Sequence, residues 1–325
     1  MKIVVDAMGG DRGPEVVVEG VVDAAKEIEG EVILVGKKSI IQKHLTRFNF
    51  PKIKVIDAPE TIDMNDDPMQ AVRRKKNSSL VKAMLLLKEG EVDALVSAGN
   101  TGAVVTAASI YLKRIQGVHR PTLAVPIPTP LGYSLLLDVG ACVDTRAEEL
   151  YQFAVMGSLY AQKLMGIENP KVALLNIGEE KMKGNKVVRE AYTLLENSSL
   201  NFIGNVEGRD LFLGKADVVV CDGFVGNIVL KSSESIAESL SQYLKEKIEK
   251  SKNQQVKQFL EKVLKDFFKR SDYSNYGGAL LLGVKGYCVV THGASPPEGI
   301  KNSILVASRE VASGINEEIE KFFSH

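Results

Sequence analysis

Asn100 and Thr101 stand between Gly99 and Gly102, after the apolar residues 92–96 and before residues 104–112, which are long enough for a helix. That order reads as strand, tight glycine turn and helix. Glycine lets the chain turn sharply and lets backbone N–H groups approach a ligand. With Asn100 and Thr101 capping the helix, the free N–H groups of its first turn and the positive end of its dipole favour an anion. An ordinary strand-to-helix turn carries the same signature, so both readings stand at this point. The pattern recurs twice. Asp6, Gly9, Gly10 and Asp11 follow the short apolar residues 2–5, and Gly223, Gly226 and Asn227 follow residues 216–221. Asp6 and Asp11 either cap backbone N–H groups or orient a basic or substrate group, since carboxylates themselves repel phosphate. Asp138 lies near the carboxyl end of residues 134–141, the end at which ligands collect in open α/β sheets. Lys181 and Lys183 follow residues 171–178 on a loop, where a cation can hold phosphate or simply face solvent. No P-loop, GxGxxG fingerprint, Ser-His-Asp set or Cys-His pair is legible.

The elements that must position these residues alternate strand and helix from end to end, without repeats or an obvious linker. The pattern predicts an α/β fold with a doubly wound α/β/α sheet. It predicts helices over about 14–28, 37–48, 80–88, 146–165, 185–195, 228–250, 254–270 and 299–323. Strongly apolar strands indicate a sheet covered on both faces. If the strands are parallel, the three glycine turns meet at one edge. At 325 residues the chain suits a single two-lobed catalytic domain over 1–325. Apolar content of 45% and charged content of 25% are ordinary for a globular protein, and 41 basic against 41 acidic residues give no nucleic-acid signal. No apolar run reaches the ~20 residues that span a bilayer, and no signal-peptide pattern opens the chain. Cys142, Cys221 and Cys288 are scattered and odd in number, which fits a reducing cytoplasm and no disulfide framework. With four scattered histidines, neither a metal site nor a cofactor is expected. The basic residues 73–76 either form a solvated face or steer an acidic partner.

The motifs together resemble those of the bacterial phosphate acyltransferase family of phospholipid synthesis. The matching stretches are residues 6–11, 97–103, 137–141, 178–180 with 183–184, 205–208, 222–227 and 292–293, in the family's order and over nearly the whole chain. Cys142 departs from the Asn usual after Gly-Ala, and Leu280 stands where Pro is more usual. The resemblance implies transfer of a long-chain acyl group from an acyl-carrier-protein thioester to inorganic phosphate. It also implies a fold similar to isocitrate and isopropylmalate dehydrogenases and to phosphotransacetylases. The implied partners are acyl carrier protein, a second copy of the chain, and a membrane glycerol-3-phosphate acyltransferase that consumes the product. Phosphate attack on a thioester needs a held anion, a positioned carbonyl and oxyanion stabilisation. The residues assigned to catalysis are Asn100, Lys183, Asn227 and His292. Those assigned to substrate and phosphate binding are Asp6, Gly9, Gly10, Asp11, Gly99, Thr101, Gly102, Asp138 and Gly226. The alternatives are a short-chain phosphotransacetylase using coenzyme A thioesters, a decarboxylating dehydrogenase of similar fold, and a non-catalytic carrier-binding scaffold.

Residues 228–272 form an expected protruding helical hairpin. Val256, Phe259, Leu260, Val263, Leu264, Phe267 and Phe268 fall on one helical stripe, and residues 252–270 carry six cations against Glu261 and Asp266. Such a basic amphipathic helix suits an anionic membrane surface. Alternatively, the stripe packs on Ile236, Leu240, Tyr243, Leu244 and Ile248 of the preceding helix. The expected location is the cytoplasm, with weak peripheral contact at the inner face of the membrane.

Overall fold

The computed structural model describes residues 1–48, 53–251, 253–271 and 277–324, with the side chains of 265–271 outside the description. Tyr273 and Tyr276 therefore lie outside the described residues. One eleven-stranded sheet runs through the molecule. In chain order its strands are β1 (Lys2–Asp6), β2 (Glu31–Gly36), β3 (Lys54–Asp57), β4 (Ala94–Ser97), β5 (Thr122–Thr129), β6 (Gly132–Leu137), β7 (Val172–Leu175), β8 (Phe202–Val206), β9 (Val218–Val220), β10 (Ala279–Leu282) and β11 (Tyr287–Val290). Across the sheet they lie in the order β3-β2-β1-β4-β11-β10-β5-β6-β9-β7-β8.

Alternate strand residues enter opposite cores, as the period of two requires. Ile3, Val5 and Leu34 join one core, while Val4, Ile33 and Val35 join the other. The first core is closed by α1 (Pro14–Ala24), α2 (Lys38–Leu45), α6 (Ala147–Leu164), α7 (Lys186–Glu196), α11 (Pro297–Ser313) and α12 (Ile315–Phe323). The second is closed by α3 (Pro68–Arg74), α4 (Ser79–Lys88), α5 (Thr101–Ala107), α8 (Gly208–Leu213) and the start of α9 (Gly223–Lys250). A further helix, α10 (Gln254–Ser271), packs on α9. Several helix starts are fixed by side chains. Asn100 Oδ1 accepts from Ala103 N at 3.0 Å, Asn185 Oδ1 from Val188 N at 2.9 Å, and Asp222 Oδ1 from Val225 N at 2.8 Å.

The sheet is mixed, and this changes how the glycine turns meet. β3, β2, β1, β4 and β11 form one parallel block, and β6, β9, β7 and β8 form another. Between them, β10 and β5 pair antiparallel with every neighbour. Three reversals in succession leave the two blocks running in opposite directions. Their register is staggered: Asp6, Ser97, Val290 and Ala279 share one row, and Leu280, Ala124, Leu137 and Val220 share the next. The carboxyl ends of the two opposed blocks thus meet at the same level in mid-sheet, and not along one edge of a uniformly parallel sheet.

Two elements lie outside the expected set, and two expected helices change. Residues 279–282 form the central strand β10, and residues 68–74 form α3. The third glycine turn is itself the first turn of α9, which starts at Gly223 and not near Ile228. The C-terminal helix breaks at Gly314, whose φ of +63° lies in the left-handed region that glycine enters without steric cost.

Candidate functional site

A cavity of about 310 Å³ opens where the carboxyl ends of the two blocks meet. Each wall comes from a different element. Thr101 begins α5 after β4, His292 follows β11, Val139 and Gly140 follow β6, and Phe224, Asn227, Leu230, Lys231 and Glu234 come from α9. Leu123 and Val125 of β5, with Ala279 and Val290, supply apolar surface between them. Of the thirteen residues singled out in the sequence, Thr101, Asn227 and His292 line this cavity.

Most of the others hold the walls in place. Asp6 is 2% exposed beneath the first glycine turn. Its Oδ2 accepts from Ser97 Oγ at 2.9 Å and its Oδ1 from Met8 N at 3.2 Å. Burial pushes its carboxyl above the ordinary range, against hydrogen bonds from Ser79, Met8 and Ser97 that pull it down. It supports the turn and does not line the cavity. Gly9 and Gly99 carry the close approach of two turns: a Cβ on Gly9 would stand 2.7 Å from Gly99 Cα. Gly10 and Asp11 meet the turn after β11, where Asp11 N donates to Gly293 O at 2.9 Å. Gly102 leaves room for Pro68 of α3. These residues lock the turns after β1, β4 and β11 into one unit.

Asn100 is held through both atoms of its amide. Its Oδ1 caps α5, and its Nδ2 donates to the backbone carbonyls of Met64 at 3.0 Å and Asp66 at 3.3 Å. The amide thus ties the loop before α3 to the second glycine turn. Lys75 holds the same loop, donating to Asp66 Oδ2 at 2.5 Å and to Thr61 O at 2.9 Å. With both amide atoms engaged, Asn100 caps α5 and tethers the loop before α3.

Asp138 is fully buried. Its Oδ1 accepts from Ala141 N at 2.8 Å and Gly140 N at 3.1 Å, with Leu123 N at 3.4 Å, and its Oδ2 accepts from Cys142 N at 2.8 Å. Burial pushes the carboxyl up to about 6 despite these backbone N–H groups. Asp138 therefore shapes the turn after β6, and it is not among the residues lining the cavity. Gly226 also acts through space: a Cβ there would lie 1.9 Å from Asp138 O, so glycine alone lets α9 sit against this turn.

Lys183 does not reach the cavity. It lies exposed on the loop after β7, two strands away from β6, where its backbone carbonyl accepts from Asn176 Nδ2 at 3.1 Å. The cation on the cavity wall is Lys231, whose Nζ donates to Glu234 Oε2 at 2.9 Å, while Glu234 Oε1 is buried without a hydrogen-bond partner. The missed residues follow helical phase. Asn227, Lys231 and Glu234 stand at i, i+4 and i+7, which shares one face. Starting the helix at Gly223 would have exposed that relation in the sequence.

His292 Nδ1 accepts from Ala294 N at 3.2 Å, which places the proton of the neutral ring on Nε2. The turn is stiffened by Ser295 N donating to His292 O at 2.9 Å and by a 2.9 Å hydrogen bond between the hydroxyls of Thr291 and Ser295. Cys142 is buried, with Sγ donating to Pro121 O at 3.3 Å. Burial and the Asp138 charge push its thiol up to about 12, so it stays protonated and inert near neutral pH. Cys221 and Cys288 are also buried, with thiols raised by desolvation. Among the described residues, no group of three or more His, Cys, Asp or Glu side chains is placed to hold a metal ion. Lys231, paired with the Glu234 carboxylate, thus lines the cavity with Asn227, Thr101 and His292 beside apolar walls, a set suited to a small oxyanion next to an apolar reactant.

A family model described as "Fatty acid synthesis protein" matches residues 1–318. A phosphate acyltransferase of Desulfitobacterium hafniense is 49% identical over 324 residues, covering 99% of this chain and 97% of the relative. One from Dictyoglomus turgidum is 49% identical over 324 residues, covering 98% and 96%. Among solved structures, a phosphotransacetylase from Streptococcus pyogenes has a TM-score of 0.64 at 20% identity, covering 96% of this chain and 94% of its own. A branched-chain phosphotransacylase from Enterococcus faecalis has a TM-score of 0.62 at 18% identity, covering 96% and 100%. At those identities the structural likeness establishes the fold. The sequence relation reaches further: the chain belongs to the fatty acid synthesis protein family, the phosphate acyltransferase family whose motifs its glycine turns resemble.

Proposed function

We propose that the protein transfers an acyl group from an acyl-carrier-protein thioester to inorganic phosphate, giving acyl phosphate and the free carrier thiol. The observation behind this reading is the cavity at the meeting of the two strand blocks, where Lys231, Asn227, Thr101 and His292 face apolar walls. Lys231 holds the charge of the phosphate, and the Asn227 amide and Thr101 hydroxyl orient its oxygens. A phosphate oxygen attacks the thioester carbonyl carbon. The carbon–sulfur bond then breaks, and the departing thiolate takes a proton. The Nε2–H of His292 is the donor nearest in character to that task, or to hydrogen bonding the carbonyl oxygen as charge develops on it. Held reactants in a confined site supply much of the acceleration. No acyl-enzyme is needed, which agrees with three buried, protonated thiols.

The product is amphiphilic, and we assign its use to a membrane glycerol-3-phosphate acyltransferase. Exposed apolar residues on both helices, including Tyr243 at 56% and Phe259 at 66%, support a homodimer and weak contact with the cytoplasmic membrane face. Ile248 and Leu264 are buried within the same helices, so the stripe is divided between packing and exposure. Phe267 and Phe268 lie outside the described side chains. No helix of the described residues is long and apolar enough to cross a membrane.

The test is phosphate-dependent thiol release from acyl-carrier protein by the purified chain, with acyl phosphate trapped by hydroxylamine. Turnover with the carrier thioester and little with coenzyme A thioesters supports the proposal. The reverse preference assigns a short-chain phosphotransacetylase, and saturable carrier binding without turnover assigns a scaffold.

A further inference from the structure

The cavity has an apolar neighbour. On the other flank of α9 lies a groove of about 660 Å³, bounded by Ile127 and Pro128 at the end of β5, by Phe212 of α8, and by Ile228, Ile236 and Leu240 of α9. Its walls leave large apolar surface in the open: Ile236 is 69% exposed, Ile228 49% and Leu240 43%. Leu230 and Glu234 line the groove and the polar cavity together, so the two spaces adjoin across one turn of α9. The facing wall is built to stay in place. α8 opens with reciprocal hydrogen bonds between Glu207 and Asp210, and it closes at Gly214, where a Cβ would come within 2.9 Å of Thr129 Oγ1.

We propose that this groove binds the hydrocarbon chain of a fatty acyl thioester whose carbonyl sits in the polar cavity. The inference rests on the acyl-transfer reading and adds to it the site of the chain. Three observations favour an alkyl chain. The groove adjoins the cavity, with Leu230 and Glu234 common to both walls. Its walls are aliphatic and aromatic, with Arg209 and two serines as the polar exceptions other than Glu234. From Asn227 to Leu240 the α9 axis advances about 20 Å, far beyond the reach of a two-carbon acyl group. Each methylene removed from water here improves binding about fourfold, so affinity rises steeply with chain length until the groove is filled.

The experiment measures kcat/KM for phosphate-dependent thiol release on carrier thioesters from butyryl to palmitoyl. It compares wild type with Ala237→Trp, which plugs the groove, and Phe212→Ser, which removes part of the opposite wall. Circular dichroism and sedimentation accompany each variant, and a fluorescent long-chain fatty acid is titrated in parallel. Both variants are expected to lower the palmitoyl-to-butyryl ratio at least tenfold and to weaken the fatty acid probe by a similar factor. A ratio unchanged in both folded variants overturns the assignment. So does dissociation of a dimer with the ratio intact, which gives the groove to a second copy of the chain. If wild type turns over no thioester, the acyl-transfer reading fails, and the probe titration decides the groove alone: equal binding by wild type and both variants overturns it.

Discussion

Gly226→Ala tests whether the seating of α9 against the turn after β6 sets the site. The added Cβ would stand 1.9 Å from Asp138 O and 3.0 Å from Cys221 Sγ. Ordinary contact begins at 3.4 Å, so the helix or the turn must retreat by about 1.5 Å. Neither partner is a flexible side-chain end: one is backbone carbonyl on a turn bound by four N–H groups, and the other is the first turn of a helix. Overpacking of this kind costs about 1–3 kcal/mol of stability. Asn227 and Lys231 ride on the displaced segment, and a misplacement of about 1 Å can cost roughly a hundredfold in rate. Urea unfolding and phosphate-dependent thiol release read the two effects separately. Gly208→Ala serves as the control for the urea midpoint alone, because nothing lies within 4 Å of its added Cβ. A Gly226→Ala protein with the wild-type urea midpoint and wild-type turnover would refute the claim that this close approach fixes the cavity.

Lys231→Met should lower kcat/KM for phosphate about tenfold or more, the scale for a hydrogen bond to a charged group, whereas Lys183→Met should change it less than twofold; steady-state kinetics at varied phosphate checks both, and the reverse order would restore Lys183 to the site. Asn100→Ala removes the α5 cap and the tether to the loop before α3, so it should lower unfolding free energy by about 1–2 kcal/mol in a urea titration; activity lost with stability intact would return the amide to the chemistry. Cys142→Ser should keep most of the activity, and the folded wild type should resist alkylation at neutral pH; rapid labelling at Cys142 with loss of turnover would show a reactive thiol. For Asp138, burial raises the folded pKa to about 6 above an unfolded value near 3.8. Its contribution to stability is therefore fully present below the unfolded value and is lost as pH rises through about 6. The unfolding free energy of wild type relative to Asp138→Asn should fall between about pH 4 and pH 7, and a difference that rises over that range contradicts the burial argument.

Local pattern carried a good deal of this protein. Apolar runs bounded by glycine located β1, β4, β6, β7 and β9, because strand and turn preferences are written within a few residues. Asn185 announces its helix for the same reason, since a side-chain cap reaches backbone N–H groups only two or three residues away. The glycine turns and their order identified the family. The helix of residues 68–74 escaped notice because it is short and sits among turn-forming residues. The break at Gly314 escaped because apolar periodicity continues across a single left-handed residue.

What the tertiary structure decided was which turn residues face the cavity. Asp6, Asn100 and Asp138 look alike in sequence to Thr101 and Asn227: polar residues near a strand end and a glycine. All three bind a backbone N–H two or three residues on, but Asp6 also binds Ser97 and Asn100 also binds Met64, and those partners are 91 and 36 positions away. Lys183 and Lys231 are likewise both basic residues near a glycine turn, yet sheet order leaves β7 beyond β9 and brings α9 to the cavity. The three strand reversals through β10 and β5 decide the rest. Side-chain type and spacing report what a turn can bind, but pairing between residues more than a hundred positions apart fixes which carboxyl ends meet, and no local preference encodes that register.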